Sequence, residues 1–139
     1  MTRIQTVSLL ALLALSLTSA SSVRAAERMK VGQWEFTTTT TGQAPRTFKK
    51  CMNVLDASSV NGDEKSGRAA AEKAAGAHCA LKEYKVVGDT VSYALACDTA
   101  TIASSTTYHG DSFEGTMTTK RDGKETSTHV KGRRLGACP

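Results

Sequence analysis

Three turn signals that combine glycine and aspartate recur at short intervals in the second half of the chain, at Gly88-Asp89, Gly110-Asp111 and Asp122-Gly123. Such pairs favour two-residue β-hairpin turns, because glycine adopts a positive φ angle without steric cost. Turns spaced this closely are typical of antiparallel strands that follow one another. The second half therefore predicts a meander of five strands, over residues 80–87, 90–97, 101–108, 112–120 and 125–134.

Two further strands and one helix are predicted before this meander. The segment 31–41 is rich in β-branched residues and places Trp34 and Phe36 on one face, and a second strand covers residues 46–52. Polar residues 56–63 indicate a loop, and the alanine-rich run 67–77 indicates a short helix. The predicted fold is mainly β: an antiparallel β-meander of six to seven strands, forming a barrel or half-barrel, with one short helix.

The last two turns also fix a register between strands. A two-residue turn at Gly110-Asp111 pairs Tyr108 with Phe113, and one at Asp122-Gly123 pairs Phe113 with Gly132. An aromatic ring opposite a glycine is a known way to stabilise that glycine in a strand. Two independent turns thus predict one apolar face, which we interpret as the core face, and one polar face.

Four cysteines, Cys51, Cys79, Cys97 and Cys138, follow the first strand. An even number of cysteines in a small chain indicates two disulfides when the chain is exported, as the N-terminal residues described below predict. A zinc site is the alternative, but no Cys-x-x-Cys pair is present and His78 beside a cysteine is its only hint. The absence of a Cys-x-x-Cys pair also argues against redox catalysis. No metal site and no cofactor is predicted.

The meander brings the cysteines to two rims of the sheet, which predicts the pairs Cys79–Cys97 and Cys51–Cys138. A two-residue turn at Gly88-Asp89 places Cys79 opposite Asp98 instead, so the first pair requires a bulge. The alternative pairing, Cys51–Cys79 with Cys97–Cys138, would enclose the helical segment and stays open.

The first residues are predicted to be a signal peptide. Arg3 precedes an apolar run over residues 7–17, which is too short to span a bilayer but suits the core of a signal peptide. Cleavage is expected after Ala25, with Ala20 as second choice; an uncleaved anchor helix is the alternative. The prediction is a cleaved segment 1–25, a single β domain over 26–139 with no transmembrane span, and a periplasmic location.

Aromatic residues form the first candidate site. Trp34, Tyr93, Tyr108 and Phe113 are predicted to line the inner face of the curved sheet. Aromatic residues are only 5% of the chain, so a cavity between them is expected to take an apolar or amphipathic ligand.

Basic residues form the second candidate site. The net charge is +5, and residues 120–139 supply most of it. Lys131 and Arg133, joined by Lys120, are predicted to share an outward face that could bind an acidic envelope partner. The competing interpretation is an exposed strand edge that charge protects from further pairing. Nucleic acid is not expected, since aromatic residues do not interleave with the basic ones.

No catalytic residues are predicted. Ser112 follows a hairpin turn and lacks the strand-to-helix setting of a nucleophilic serine. The three histidines are scattered, and no two carboxylates can be placed as an acid–base pair. The expected function is a non-enzymatic binding module for an apolar or amphipathic ligand; the alternative is a protein-interaction module, an inhibitor or assembly factor, using the basic surface.

Several motifs together resemble a family of small exported bacterial proteins catalogued as domain of unknown function 3617. They are Gly32-Gln33-Trp34-Glu35, the Cys79–Cys97 hairpin, Gly110-Asp111-Ser112-Phe113-x-Gly115 and Gly132-Arg133-Arg134-Leu135-Gly136-x-Cys138-Pro139. The resemblance spans essentially the whole chain after residue 25 and implies an envelope location, but no established activity. The chain departs from the family in its alanine-rich helix and in having few methionines and prolines after the first strand.

Overall fold

A computed structural model describes residues 27–139 of the chain. The predicted signal peptide and its cleavage site lie outside these residues. The elements in chain order are β1 (Gly32–Thr40), β2 (Arg46–Met52), α1 (Val54–Asn61), α2 (Glu64–Ala75), β3 (Cys79–Val87), β4 (Thr90–Cys97), β5 (Thr101–Tyr108), β6 (Ser112–Arg121) and β7 (Lys124–Gly136). The predicted strands are confirmed within two residues at either end.

All seven strands form one antiparallel sheet, in the order β2-β1-β7-β6-β5-β4-β3. The predicted antiparallel meander is confirmed. Its sheet is open, with β2 and β3 as the two edges, so it does not close into a barrel. The helices connect these two edges and cover one face, which we call the inner face; it carries Trp34, Tyr84, Val91 and Phe113. The opposite face is the outer face.

The register predicted from the hairpin turns is confirmed. Tyr108 lies opposite Phe113, Phe113 opposite Gly132, and Gly115 opposite Val130. A Cβ on Gly132 would lie 2.1 Å from the Phe113 ring. Glycine is therefore required at this position, because the ring occupies the space above its backbone.

The β3–β4 hairpin contains the bulge that the cysteine pairing requires. Tyr84 lies opposite Tyr93, but the register shifts between Leu81 and Glu83, so Lys82 is the extra residue. Beyond the shift, Cys79 lies opposite Cys97. One bulged residue moves the pairing of the strand end by one position, which places the two cysteines side by side.

Two disulfides join Cys79 to Cys97 and Cys51 to Cys138. These are the pairs that the predicted meander brings together at its rims. The second disulfide closes a sequence separation of 87 residues and ties edge strand β2 to the segment after β7.

The core is small and aromatic. Met29, Trp34 and Phe113 are buried, and Phe36, Tyr108 and Val130 pack around them. The Trp34 indole N–H donates a hydrogen bond of 2.9 Å to the Lys30 carbonyl oxygen. Trp34 is thus both the largest buried side chain and a fully satisfied one.

The helical segment differs from the prediction. One helix over 67–77 and a polar loop were expected, whereas residues 54–75 contain two helices. Asn53 and Asp56 form a reciprocal capping box that starts α1, and the Asp63 side chain accepts a hydrogen bond from the Ser66 N–H at the start of α2. Capping satisfies backbone donors that a helix start leaves free, so α1 forms despite having no clear apolar stripe. No helix among residues 27–139 is long and apolar enough to cross a membrane.

Candidate functional site

Helix α2 presents small residues to the inner face of the sheet. Gly67, Ala70 and Ala71 face β3 and β4, and a Cβ on Gly67 would lie only 2.2 Å from the Tyr84 hydroxyl oxygen. The helix backbone therefore approaches the sheet closely at Gly67. Alanine methyl groups cannot fill the remaining space, so a gap is left beside this contact.

That gap is a cavity of about 170 Å³, which we call the tyrosine cavity. It lies between both helices and strands β3 to β5. Its lining residues are Ser59, Val60, Gly67, Ala70, Ala71, Ala74, Tyr84, Val91, Tyr93 and Tyr108. Ser59 and Ala74 are exposed, so the cavity opens to solvent at this side.

All three tyrosines of the chain line the tyrosine cavity, and two of them are in apolar surroundings. Burial raises the pKa of Tyr84, and it raises the pKa of Tyr108 to about 12. Burial disfavours the charged phenolate. Both phenols therefore stay neutral to a higher pH than a phenol in water.

The four predicted ligand-facing residues fall into two layers. Tyr93 and Tyr108 line the tyrosine cavity. Trp34 and Phe113 lie in the core, where their ring centroids are 5.7 Å apart, and neither lines the cavity. Sequence reasoning missed Tyr84 as a lining residue, although its register opposite Tyr93 was available as a signal.

Arg28 is a buried residue that sequence reasoning also missed. Its Nε donates to the Gly88 carbonyl oxygen at 3.0 Å, and its Nη1 donates to the carbonyl oxygens of Val60 and Gly62, both at 2.9 Å. The guanidinium thus holds the end of α1 to the β3–β4 turn. Since α1 and α2 form one wall of the tyrosine cavity, Arg28 supports that wall.

A larger cavity, of about 450 Å³, lies beside Arg28. Its charged groups already have structural partners: Asp63 caps α2, and the Glu64 carboxylate accepts from the Val86 N–H at 3.3 Å. The charges of Asp63 and Glu64 are therefore explained by these hydrogen bonds, without a ligand in the cavity.

The predicted basic site lies on the outer face, and two of its three charges are paired. Arg133 binds the Glu35 carboxylate at 2.8 Å, and the Lys131 ammonium is 4.0 Å from Glu114. Lys120 lies opposite Glu125 in the β6–β7 pair. The outer face is therefore a mixture of both charges around these residues.

The interpretation of this site as a charged strand edge is wrong. Strand β7 pairs with β1 on one side and β6 on the other, so it has no free edge. The basic edge strand is β2, which carries Arg46, Lys49 and Lys50 and is exposed over most of its length. Lysines on an edge disfavour the addition of another strand, so this role belongs to β2.

The turn at Gly110-Asp111 has a structural role. The Asp111 carboxylate pairs with the Lys30 ammonium and lies 3.7 Å from an Arg134 nitrogen. A parallel bridge between Met29 and Gly110 ties the same turn to the N-terminal segment. Within residues 27–139, no group of three or more His, Cys, Asp or Glu side chains is placed to hold a metal ion.

The fold and its cavity define a class of small disulfide-linked protein in which two helices cross one face of an open seven-stranded antiparallel sheet. The chain matches the family described as protein of unknown function (DUF3617) over residues 29–138, a range that contains every strand and both helices of the described part of the chain. The chain belongs to this family. No curated protein and no solved structure matches the chain.

Proposed function

We propose that this protein is an exported, non-enzymatic binding module that takes a small apolar or amphipathic ligand in the tyrosine cavity. The observation that carries the proposal is the packing of α2 on the sheet. Its glycine and alanines leave a cavity of about 170 Å³ between the helix and three tyrosines. A site lined mainly by apolar and aromatic groups, with a few polar atoms, is typical of small-molecule binding.

A periplasmic location accompanies this proposal. All four cysteines are in disulfides, and none is free. Disulfides persist in oxidising compartments such as the periplasm and are rare in the cytosol. They support the prediction made from the apolar N-terminal run, which lies outside the described residues.

The alternative function, a protein-interaction module acting through Lys120, Lys131 and Arg133, has weaker support. The carboxylates of Glu35 and Glu114 reduce the positive field that would attract an acidic partner.

Native mass spectrometry tests the binding function. The protein is exported to the periplasm and purified without detergent, as wild type and as two variants. Ala71→Leu adds bulk inside the tyrosine cavity, and Ala69→Leu makes the same change at an exposed position of the same helix. We expect a bound mass on the wild type and on Ala69→Leu, and its loss from Ala71→Leu.

Two results would contradict the proposal. One is a bare mass for the wild type, both as isolated and after incubation with toluene and p-cresol. The other is equal retention of a ligand by Ala71→Leu and Ala69→Leu, which would place that ligand elsewhere on the protein.

A further inference from the structure

Tyr84 is a buried residue, but its hydroxyl has no hydrogen-bond partner among residues 27–139. Tyr84 is 5% exposed, and desolvation, rather than any hydrogen bond, dominates the environment of its hydroxyl. Every fully enclosed side-chain nitrogen or oxygen of the described residues has a partner. The Tyr84 hydroxyl is therefore in contact with open space, and the space beside it is the tyrosine cavity.

The size of the tyrosine cavity limits what can bind beside this hydroxyl. An apolar cavity of about 150 Å³ accommodates a benzene-sized molecule, and this one measures about 170 Å³. Val60, Ala70, Ala71 and Val91 give it apolar walls. One six-membered ring with a small substituent fits this volume.

The electrostatic surroundings favour a neutral occupant. Burial is the largest influence on Tyr84, and the charges of Arg28 and Glu64 act on it in opposite directions. The Arg28 charge has the larger effect of the two and favours the phenolate, but burial outweighs it and keeps the hydroxyl neutral. Of the described residues that line the cavity, none is charged, so an ion that enters it would give up part of its hydration without gaining a partner of opposite charge on its walls.

We propose that the tyrosine cavity selects a neutral, monocyclic ligand with one hydrogen-bonding oxygen, and that this oxygen binds the Tyr84 hydroxyl. The inference rests on the proposed function, since it assumes that the cavity is the ligand site. It adds a chemical class: a phenol, a cyclic alcohol or a cyclic ketone, rather than a hydrocarbon or a carboxylate. Tyr84 acts as the specificity-determining residue.

Isothermal titration calorimetry with three related probes tests this selection. Toluene provides the ring alone, p-cresol adds a neutral hydroxyl, and p-toluate adds a negative charge. We expect p-cresol to bind about tenfold more tightly than toluene, since one buried hydrogen bond contributes about that factor. We expect p-toluate to bind at least about tenfold more weakly than p-cresol.

Two phenylalanine variants locate the hydrogen bond. Tyr84→Phe removes the proposed partner and is expected to abolish the preference for p-cresol over toluene. Tyr93→Phe removes a second hydroxyl from the same cavity, at a residue that is only partly buried. Both affinities are free to change because Tyr93 lines the cavity, but their ratio is expected to stay about tenfold. Should Tyr84→Phe fail to fold, the three probes on the wild type decide the question.

The outcomes separate this inference from the proposed function. Equal affinity of the wild type for toluene and p-cresol, or loss of the preference in Tyr93→Phe alone, overturns the role of Tyr84 while the cavity remains a binding site. Tighter binding of p-toluate overturns the neutral class. If none of the probes binds, this inference is overturned, and the native mass of the protein as isolated decides the proposed function separately.

Discussion

The contact between Gly67 and Tyr84 makes a prediction that opposes the ordinary preference of helices. Alanine is normally favoured over glycine inside a helix by about 1 kcal/mol. A Cβ at position 67, however, would lie 2.2 Å from the Tyr84 hydroxyl oxygen and less than 3.0 Å from two ring carbons. We therefore expect Gly67→Ala to destabilise the protein.

The magnitude follows from these two opposing effects. Overpacking a buried contact costs about 1–3 kcal/mol, and the upper end applies because two ring carbons as well as the hydroxyl oxygen would lie within 3.0 Å of the new Cβ. Subtracting about 1 kcal/mol of helix preference leaves a net loss of about 2 kcal/mol in the free energy of unfolding. For a domain of this size that loss lowers the melting temperature by about 8 °C.

Urea denaturation of four proteins measures the effect: the wild type, Gly67→Ala, Tyr84→Phe and the double variant. In the double variant the closest atom is gone, so Gly67→Ala should cost about 1 kcal/mol less there than in the wild type. Ala69→Gly at an exposed position of α2 is the control and should cost about 1 kcal/mol. A Gly67→Ala protein as stable as the wild type, or more stable, would refute the close approach of α2.

Three further predictions concern the framework around the cavity. Arg28→Met should lower the free energy of unfolding by about 2–4 kcal/mol in urea denaturation, because three carbonyl oxygens lose a charged donor; a loss below about 0.5 kcal/mol would contradict its bracing role. Replacing both Cys51 and Cys138 by serine should lower the free energy of unfolding by about 4.5 kcal/mol, and replacing Cys79 and Cys97 should lower it by about 3 kcal/mol. The difference arises because the entropy of loop closure grows with the sequence separation, which is 87 residues for the first disulfide and 18 for the second. A larger loss from the second replacement would contradict this. The free energy of unfolding should fall as the pH rises from 10 to about 12, because Tyr108 ionises at a lower pH in the unfolded chain than in the folded protein. Tyr108→Phe should make this fall less steep. An equally steep fall in that variant would show that Tyr108 does not cause it.

Local turn chemistry explains why most of the sheet could be predicted from the sequence. Each turn of glycine and aspartate fixes its own hairpin register, and Phe113 opposite Gly132 followed from two such turns. The family was also predicted correctly from motifs spread along the sheet. These features depend on residues close in sequence, or on strands joined by short turns.

Features that depend on distant contacts could not be predicted in the same way. Arg28 binds carbonyl oxygens that are 32, 34 and 60 residues away, and no local pattern indicates them. The tyrosine cavity exists because Gly67 allows α2 to approach Tyr84, a contact between a helix and a strand. Helix α1 is different: the Asn53 and Asp56 capping box was present in the sequence, but exposed Val54 and Leu55 gave no apolar stripe to support it.

The central claim is that the tyrosine cavity is the ligand site, and intermolecular nuclear Overhauser effects test it most directly. With p-cresol bound, the ligand ring protons should show contacts to the methyl groups of Ala71 and Val91, which line the cavity. Contacts confined to outer-face residues such as Ala94 and Ala103, or no contacts at saturating p-cresol, would contradict the claim.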